Sequence, residues 1–110
     1  MIVRILVRSN MFKDKTEIMW VSVLKVFKYR GYNFFVHRNP YHGEIRVSHF
    51  ESGYGAPLKG NEPVSVDDAV YIAIKIMNDI SDEKFKFVME ERMKHIINDP
   101  SELEQITFTT

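Results

Sequence analysis

The sequence predicts an α+β domain in which a three- to four-stranded, mainly antiparallel sheet over residues 2–50 is followed by two C-terminal helices packed on one face. Three observations lead to this class. Apolar and polar residues alternate with a period of two through much of the first half. A loop rich in glycine and proline covers residues 51–63. From Ser65 onward, apolar residues recur with the 3.6-residue period of a helix.

Alternation and turn residues divide the first half into strands. In residues 2–8, Val3, Ile5 and Val7 fall on one side of a strand. Residues 18–29 also fit helical spacing, but their β-branched and aromatic content favours a strand. Gly31 permits a tight turn before residues 32–38, and alternation resumes over residues 44–50, so that two successive hairpins form a meander.

The second half carries the signals of two helices. Ser65, with Asp68 three residues later, predicts a capped helix start and a helix from about residue 66 to residue 79. Ser81 predicts the start of a second helix that runs to about Asn98, before Pro100. The segment "ITFT" (residues 106–109) is compatible with an added edge strand.

Length and composition exclude several classes of protein. A chain of 110 residues suits one domain over residues 1–110. The absence of cysteine excludes disulfides, thiolate metal sites and cysteine nucleophiles, and it favours the cytoplasm. Arg4 and Arg8 interrupt the N-terminal apolar run, so we expect neither a signal peptide nor a membrane-spanning segment.

The net charge is zero, but the two halves of the chain differ. Residues 1–48 contain nine lysines and arginines against three acidic residues, a net charge of +6, and residues 49–110 therefore carry −6. Such a division can steer a charged partner to one face of the protein. It is equally compatible with two oppositely charged halves that attract each other inside one domain.

The segment "KYRGYNFFVHR" (residues 28–38) combines aromatic and basic residues. Bases stack on aromatic rings and cations neutralise phosphates, so this hairpin predicts single-stranded nucleic-acid binding as an alternative function. The candidate residues are Lys28, Arg30, Tyr32 and Arg38. The same alternation that forms the strand also sends about half of the aromatic rings into the core.

The second predicted helix offers a protein-binding surface. Phe87 lies off its main apolar stripe, and four acidic residues of the helix form a candidate acidic patch. The candidate residues are Asp82, Glu83, Glu90, Glu91 and Phe87. A third interpretation is a structural homodimer formed through Phe87 and an edge strand.

No pattern indicates catalysis, a cofactor or a metal site. The four histidines show no H-x-x-x-H spacing, although His37 and His49 are candidates to face each other across adjacent strands. The glycines of residues 52–63 lack the P-loop pattern. Ser48 beside His49, and Glu51 beside Ser52, are expected on alternate strand faces, so the sequence predicts no nucleophile–base pair and no enzyme.

Residues 32–77, "YNFFVHRNPYHGEIRVSHFESGYGAPLKGNEPVSVDDAVYIAIKIM", resemble a layout found in small accessory proteins of bacteriophages and mobile elements. In that layout, a strand pair ending in a motif such as "RVSHFESG" leads through a loop to a capped helix like "SVDDAVYIAIKIM". The resemblance implies a protein without catalysis that binds and disables a host protein in the bacterial cytoplasm, as anti-CRISPR inhibitors of nucleases do, although some members bind DNA. It predicts that the acidic residues of the second helix occupy the basic groove of a nucleic-acid-processing enzyme.

Overall fold

The computed structural model describes residues 1–8 and 16–103, and these ranges contain five strands followed by two helices. The strands and helices are β1 (Ile2–Arg8), β2 (Thr16–Ser22), β3 (Lys25–Tyr29), β4 (Tyr32–Arg38), β5 (Ile45–His49), α1 (Val66–Asn78) and α2 (Asp82–Arg92). All strand pairs in the described ranges are antiparallel. The predicted α+β class is confirmed, whereas the possible edge strand at residues 106–109 lies outside the described residues.

The strands form two sheets, one with the order β1–β2 and one with the order β3–β4–β5. The chain changes sheet at residues 23–24, within the segment that the sequence predicts as a single strand. The Val23 N–H donates to Met1 O at 2.9 Å, and the Leu24 N–H donates to Val36 O at 2.8 Å. Because successive amides pair with different sheets, the extended segment is divided between them.

The three-stranded sheet lies between the helices and the β1–β2 sheet. Phe34 and Val36 on one face belong to the core beneath the helices. Phe35 on the other face packs with Val3 and Ile5 of β1. Both rings of the Phe34–Phe35 pair are fully buried because both faces of β4 are covered.

The helix starts agree with the predicted caps. Ser65 Oγ accepts the Asp68 N–H at 3.0 Å, and Ser81 Oγ accepts the Lys84 N–H at 3.3 Å. The end of α2 differs, because the helix stops at Arg92 instead of running to about Asn98. The N–H groups of residues 97 and 98 donate to Glu51 O, at 2.7 and 3.0 Å, and these tertiary hydrogen bonds replace further helical turns.

Candidate functional site

Among the described residues, three ion pairs join the basic first half of the chain to its acidic second half. They are Lys25–Asp67 at 2.9 Å, Arg30–Asp82 at 3.4 Å and Arg46–Glu62 at 3.5 Å. Side-chain charges from both halves therefore neutralise each other within the molecule. This arrangement matches the second interpretation of the charge division, in which the halves attract each other.

Arg30, a candidate for nucleic-acid binding, is held against α2. It occupies the turn between β3 and β4 with a φ of 48°. Its Nη1 donates to Ile80 O at 3.1 Å, and its guanidinium carbon lies 4.9 Å from the centre of the Phe85 ring. With Asp82 also paired to its Nη1, Arg30 connects the hairpin to the start of α2, and part of its charge is already neutralised within the molecule.

The other three hairpin candidates are not brought together. Tyr32 is partly buried, with its ring against Phe85 at 5.8 Å, and lies at the start of β4. Arg38 lies at the end of β4, about 20 Å along the strand, and donates to Gly43 O at 2.9 Å. Lys28 is exposed. The rings of Tyr29 and Tyr32 are half-buried and those of Phe34 and Phe35 are buried, so residues 28–38 offer little aromatic surface for stacking.

Four of the five α2 candidates form one exposed group, which we call the carboxylate face: Glu83, Phe87, Glu90 and Glu91. Relative to Phe87, the three glutamates stand at i−4, i+3 and i+4, three of the four neighbouring positions on a helix surface, and the exposed Lys84 stands at the fourth, i−3. The Phe87 ring is 65% exposed. Asp82 is separate from this face, since its carboxylate is paired with Arg30.

Lysines flank the carboxylate face. Lys94 Nζ lies 2.8 Å from Glu91, and this contact raises the pKa of Lys94 through a hydrogen bond and charge attraction. Lys86 lies 4.0 Å from Glu90 in a longer contact. Glu83 has no ion-pair partner within residues 1–8 and 16–103. Exposed pairs of this kind contribute little to stability, so the glutamates are available to another partner.

A second cluster, which sequence reasoning did not predict, is buried in the turn after β5. His49 Nδ1 lies 2.7 Å from Ser52 Oγ, and His49 Nε2 lies 3.4 Å from a Glu51 carboxylate oxygen. Asn33 Nδ2 donates to the other Glu51 oxygen at 2.9 Å. The prediction of alternate faces fails for residues 49–52 because the chain turns there instead of continuing as a strand.

The surroundings of Glu51 favour its ionised form. The Ser52 N–H also donates to His49 Nδ1 at 3.4 Å, whereas His49 Nε2 has no hydrogen-bond partner among the described residues. Burial disfavours the ionised carboxyl of Glu51, but the adjacent His49 ring and the Asn33 amide outweigh it and hold the pKa of Glu51 below its usual value. Glu51 is therefore the anionic member of the cluster.

Serine, histidine and glutamate are the residue types of a nucleophile, base and acid. Here the side chains of His49 and Ser52 have no exposed surface, and Ser52 Oγ also accepts the Tyr54 N–H at 3.2 Å. A substrate carbonyl reaches Ser52 only if the turn opens. The geometry of the closed turn is thus that of a structural polar network.

The same turn joins β1 to the rest of the protein. The Leu6 N–H donates to Gly53 O at 2.9 Å. Asn98 is fully buried; it accepts the Arg4 N–H at 2.9 Å and donates to Arg4 O and Phe50 O, each at 2.7 Å. This turn lies within the "RVSHFESG" motif and connects the two sheets with the chain beyond α2.

His37 and His49 do not face each other. The strand register places His37 opposite Arg46 and His49 opposite Phe34. The His37 Nε2 atom bonds Ser48 Oγ at 2.8 Å, and burial together with the nearby Arg46 lowers the pKa of His37 despite a hydrogen bond to the backbone of Arg38. Within the described residues, no group of three or more His, Asp or Glu side chains has the arrangement of a metal site.

The outer face of the β1–β2 sheet carries an exposed apolar surface, which was also missed. Register places Arg4 opposite Trp20 and Leu6 opposite Ile18. Trp20 is 64% exposed, with the Arg4 guanidinium 5.2 Å from its ring centre. The alternation of residues 2–8 already contained this signal, because it assigns Arg4 and Leu6 to the side opposite the core.

Comparison with protein-family models, with curated protein sequences and with solved structures finds no match for this chain. Neither described helix is long and apolar enough to cross a membrane. The geometry of the exposed surfaces is therefore the basis on which a function is assigned.

Proposed function

We propose that this chain is a non-enzymatic binding protein that places the carboxylate face of α2 in a basic groove of a partner protein. The observation that carries the proposal is the position of Phe87. Its exposed ring stands between Glu83 on one side and Glu90 and Glu91 on the other. The core-facing residues of α2, Phe85 and Met89, are buried, so Phe87 is not needed for packing.

An exposed ring bordered by carboxylates has the anatomy of a binding hot spot. The ring supplies apolar area to bury, and the charges around it pair with arginine or lysine and guide the approach of a basic partner. Glu83 and Glu91 lie eight residues apart, about 12 Å along the helix. Three to four nucleotides of one strand of a duplex span about the same length. The negative charges of the face are therefore spread over a length similar to that of a short run of phosphates.

The partner class that we propose is a nucleic-acid-processing enzyme of a bacterial host. A groove that binds phosphates supplies the positive charge that the carboxylate face needs. The resemblance of residues 32–77 to phage accessory proteins supports the same class, with anti-CRISPR-like inhibition as the mechanism. Direct nucleic-acid binding by the β3–β4 hairpin is less well supported, because Arg30 and Arg38 already make internal hydrogen bonds.

The test is affinity capture from nuclease-treated bacterial lysate with wild-type and variant proteins. One variant reverses three charges of the carboxylate face (Glu83→Lys, Glu90→Lys and Glu91→Lys), and another is Phe87→Ala. Asp82 is left unchanged, so that its pair with Arg30 is kept. The control is Tyr71→Ala, which truncates an equally exposed ring on α1.

We expect one stoichiometric nucleic-acid-processing enzyme that the wild type and the Tyr71 variant retain and that both carboxylate-face variants lose. Its recovery should also fall as salt is raised. Equal capture by all variants refutes the role of this face. Proteins that disappear on nuclease treatment point instead to nucleic-acid binding. If light scattering shows a dimer that Phe87→Ala dissociates, the homodimer interpretation replaces the proposal.

A further inference from the structure

The outer face of the β1–β2 sheet is the strongest feature that the proposed function leaves unused. We call it the Trp20 face and define it by the side chains of Ile2, Arg4, Leu6, Ile18 and Trp20. Ile2 and Ile18 are 60% and 52% exposed. Large apolar side chains that are exposed next to one another often form an interaction surface, whereas single exposed apolar side chains are common and need no explanation.

Arg4 indicates which charged group a partner of this face would carry. It is the one described arginine side chain that has neither a hydrogen bond nor an ion pair within the described residues. Its Nε is buried and unpaired, and stacking on Trp20 holds its guanidinium at the surface. A carboxylate fits the planar fork of an arginine through two parallel hydrogen bonds, so the held guanidinium is a ready binding point.

We infer that the Trp20 face is a second docking surface, for a polypeptide segment of another protein that presents apolar side chains around a carboxylate. Three of the five side chains are aliphatic, and aliphatic groups favour apolar side chains of a protein over stacked bases. The aromatic ring and the arginine are the residue types enriched in protein hot spots.

A second copy of this chain fits less well. Stacking two Trp20 faces about a two-fold axis brings the Arg4 side chains of both copies to one interface. None of the five side chains of the face is a carboxylate, so that interface lacks a counter-charge. A partner with its own acidic group satisfies Arg4, whereas a symmetric dimer does not.

The Trp20 face and the carboxylate face lie on opposite sides of the three-stranded sheet, since the helices cover one of its faces and β1–β2 covers the other. Two surfaces of different charge on opposite sides allow both partners to bind at once. The molecule then joins an acidic–apolar segment of one protein to a basic groove of another. This inference does not depend on the carboxylate face being correct.

Trp20 is the single tryptophan of the chain, so its emission reports on this face alone. The experiment titrates the whole protein with three probes: a peptide of leucine and glutamate, a matched peptide of leucine and lysine, and an oligothymidine strand. We expect the acidic peptide to shift Trp20 emission to the blue and to protect it from acrylamide quenching, with a dissociation constant of roughly 10–100 μM. The affinity for the basic peptide, read from the same Trp20 emission, should be at least about tenfold lower.

Two pairs of variants separate binding from damage to the fold. Arg4→Glu should weaken acidic-peptide binding at least about tenfold, while Lys28→Glu, the same charge change on an exposed residue of β3, should leave it unchanged. Ile18→Ser should weaken it, whereas Ile96→Ser, at a site 51% exposed beyond α2, should not. Circular dichroism confirms that each variant is folded before titration.

Each remaining outcome overturns the inference. Equal affinity for the acidic and basic peptides, or no change of Trp20 emission with either, shows that the face does not recognise a carboxylate. A response to oligothymidine alone assigns the face to nucleic acid. An emission shift that appears on concentrating the free protein, with a matching rise in sedimentation coefficient, assigns it to a second copy. All of these measurements read the emission of Trp20, so a peptide that binds the carboxylate face does not register in them, and the two proposals are tested separately.

Discussion

Replacing Asn98 with alanine tests whether the turn after β5 holds the two sheets together. The Asn98 side chain is fully buried and makes three hydrogen bonds, two with the backbone of Arg4 and one with the carbonyl of Phe50. It therefore joins β1 to the turn from a position 94 residues away in sequence from Arg4. Alanine removes all three bonds without blocking any other contact.

The expected cost follows from the burial of the groups left behind. The Phe50 carbonyl is in a buried bond, and leaving it unpaired costs about 1–3 kcal/mol. The two Arg4 groups are partly buried, so water replaces some of their bonding and each loses about 0.5–1.5 kcal/mol. We expect Asn98→Ala to lower the free energy of unfolding by about 4 kcal/mol, a large share of the roughly 5–15 kcal/mol of a domain.

The assay is urea unfolding at equilibrium, with Asn61→Ala as the matched control. Asn61 is exposed and its side chain makes one bond, from Nδ2 to Leu58 O at 2.7 Å. We expect that variant to lose no more than about 1 kcal/mol. In hydrogen exchange, the amides of β1 should lose protection in the Asn98 variant before those of β4 do. If the two variants lose equal stability, the turn is not the joint that the structure indicates.

Three further changes have expected outcomes. Gly53→Ala should destabilise the protein by about 2–4 kcal/mol in urea, because φ is +72° and the added Cβ lies 2.6 Å from an Ile97 side-chain carbon. Acid should destabilise it in two steps. The neutral, buried His37 is protonated first in the unfolded chain, so stability falls as pH drops below about 6.5. The contribution of ionised Glu51 is complete above its unfolded pKa and is lost as pH falls through its lower folded pKa. Phe34→Ala should cost about 3–5 kcal/mol, whereas Phe87→Ala should stay within about 0.5 kcal/mol of wild type.

For each of these predictions, a control variant or a particular result would contradict the reasoning. Gly31→Ala is the control for Gly53, since Gly31 also has a positive φ but no atom within 4 Å of the added Cβ; equal losses would show that Ile97 is not in close contact. Glu51→Gln should flatten the more acidic step, and an unchanged pH profile would contradict the role of Glu51. A large loss of stability in Phe87→Ala would mean that its ring packs in the core, which would also remove the basis for the carboxylate face.

Features of the fold that depend on residues close together in the chain could be predicted from the sequence. The alternation of β1, the serine caps of both helices and the α+β class depend on side chains three or four positions apart, and the structure confirms them. The sequence also listed Glu83, Phe87, Glu90 and Glu91 among its protein-binding candidates, but it included Asp82, which the structure separates from them through its pair with Arg30. Whether these four residues bind a partner is a separate question that spacing does not answer.

Features that depend on contacts between segments far apart in the chain could not be predicted from the sequence. The division of the strands into two sheets depends on which carbonyl each of the amides of residues 23 and 24 meets, and local sequence does not contain that information. The end of α2 depends on Glu51, whose carbonyl accepts hydrogen bonds from the N–H groups of residues 97 and 98, more than forty residues away in the chain. The buried contacts of His49 arise because a turn overrides strand alternation. Local periodicity predicted where most strands and helices lie and which side chains share a face, whereas pairing over long distances set the remaining element ends and decided which faces were covered and which, like that of Trp20, stayed exposed.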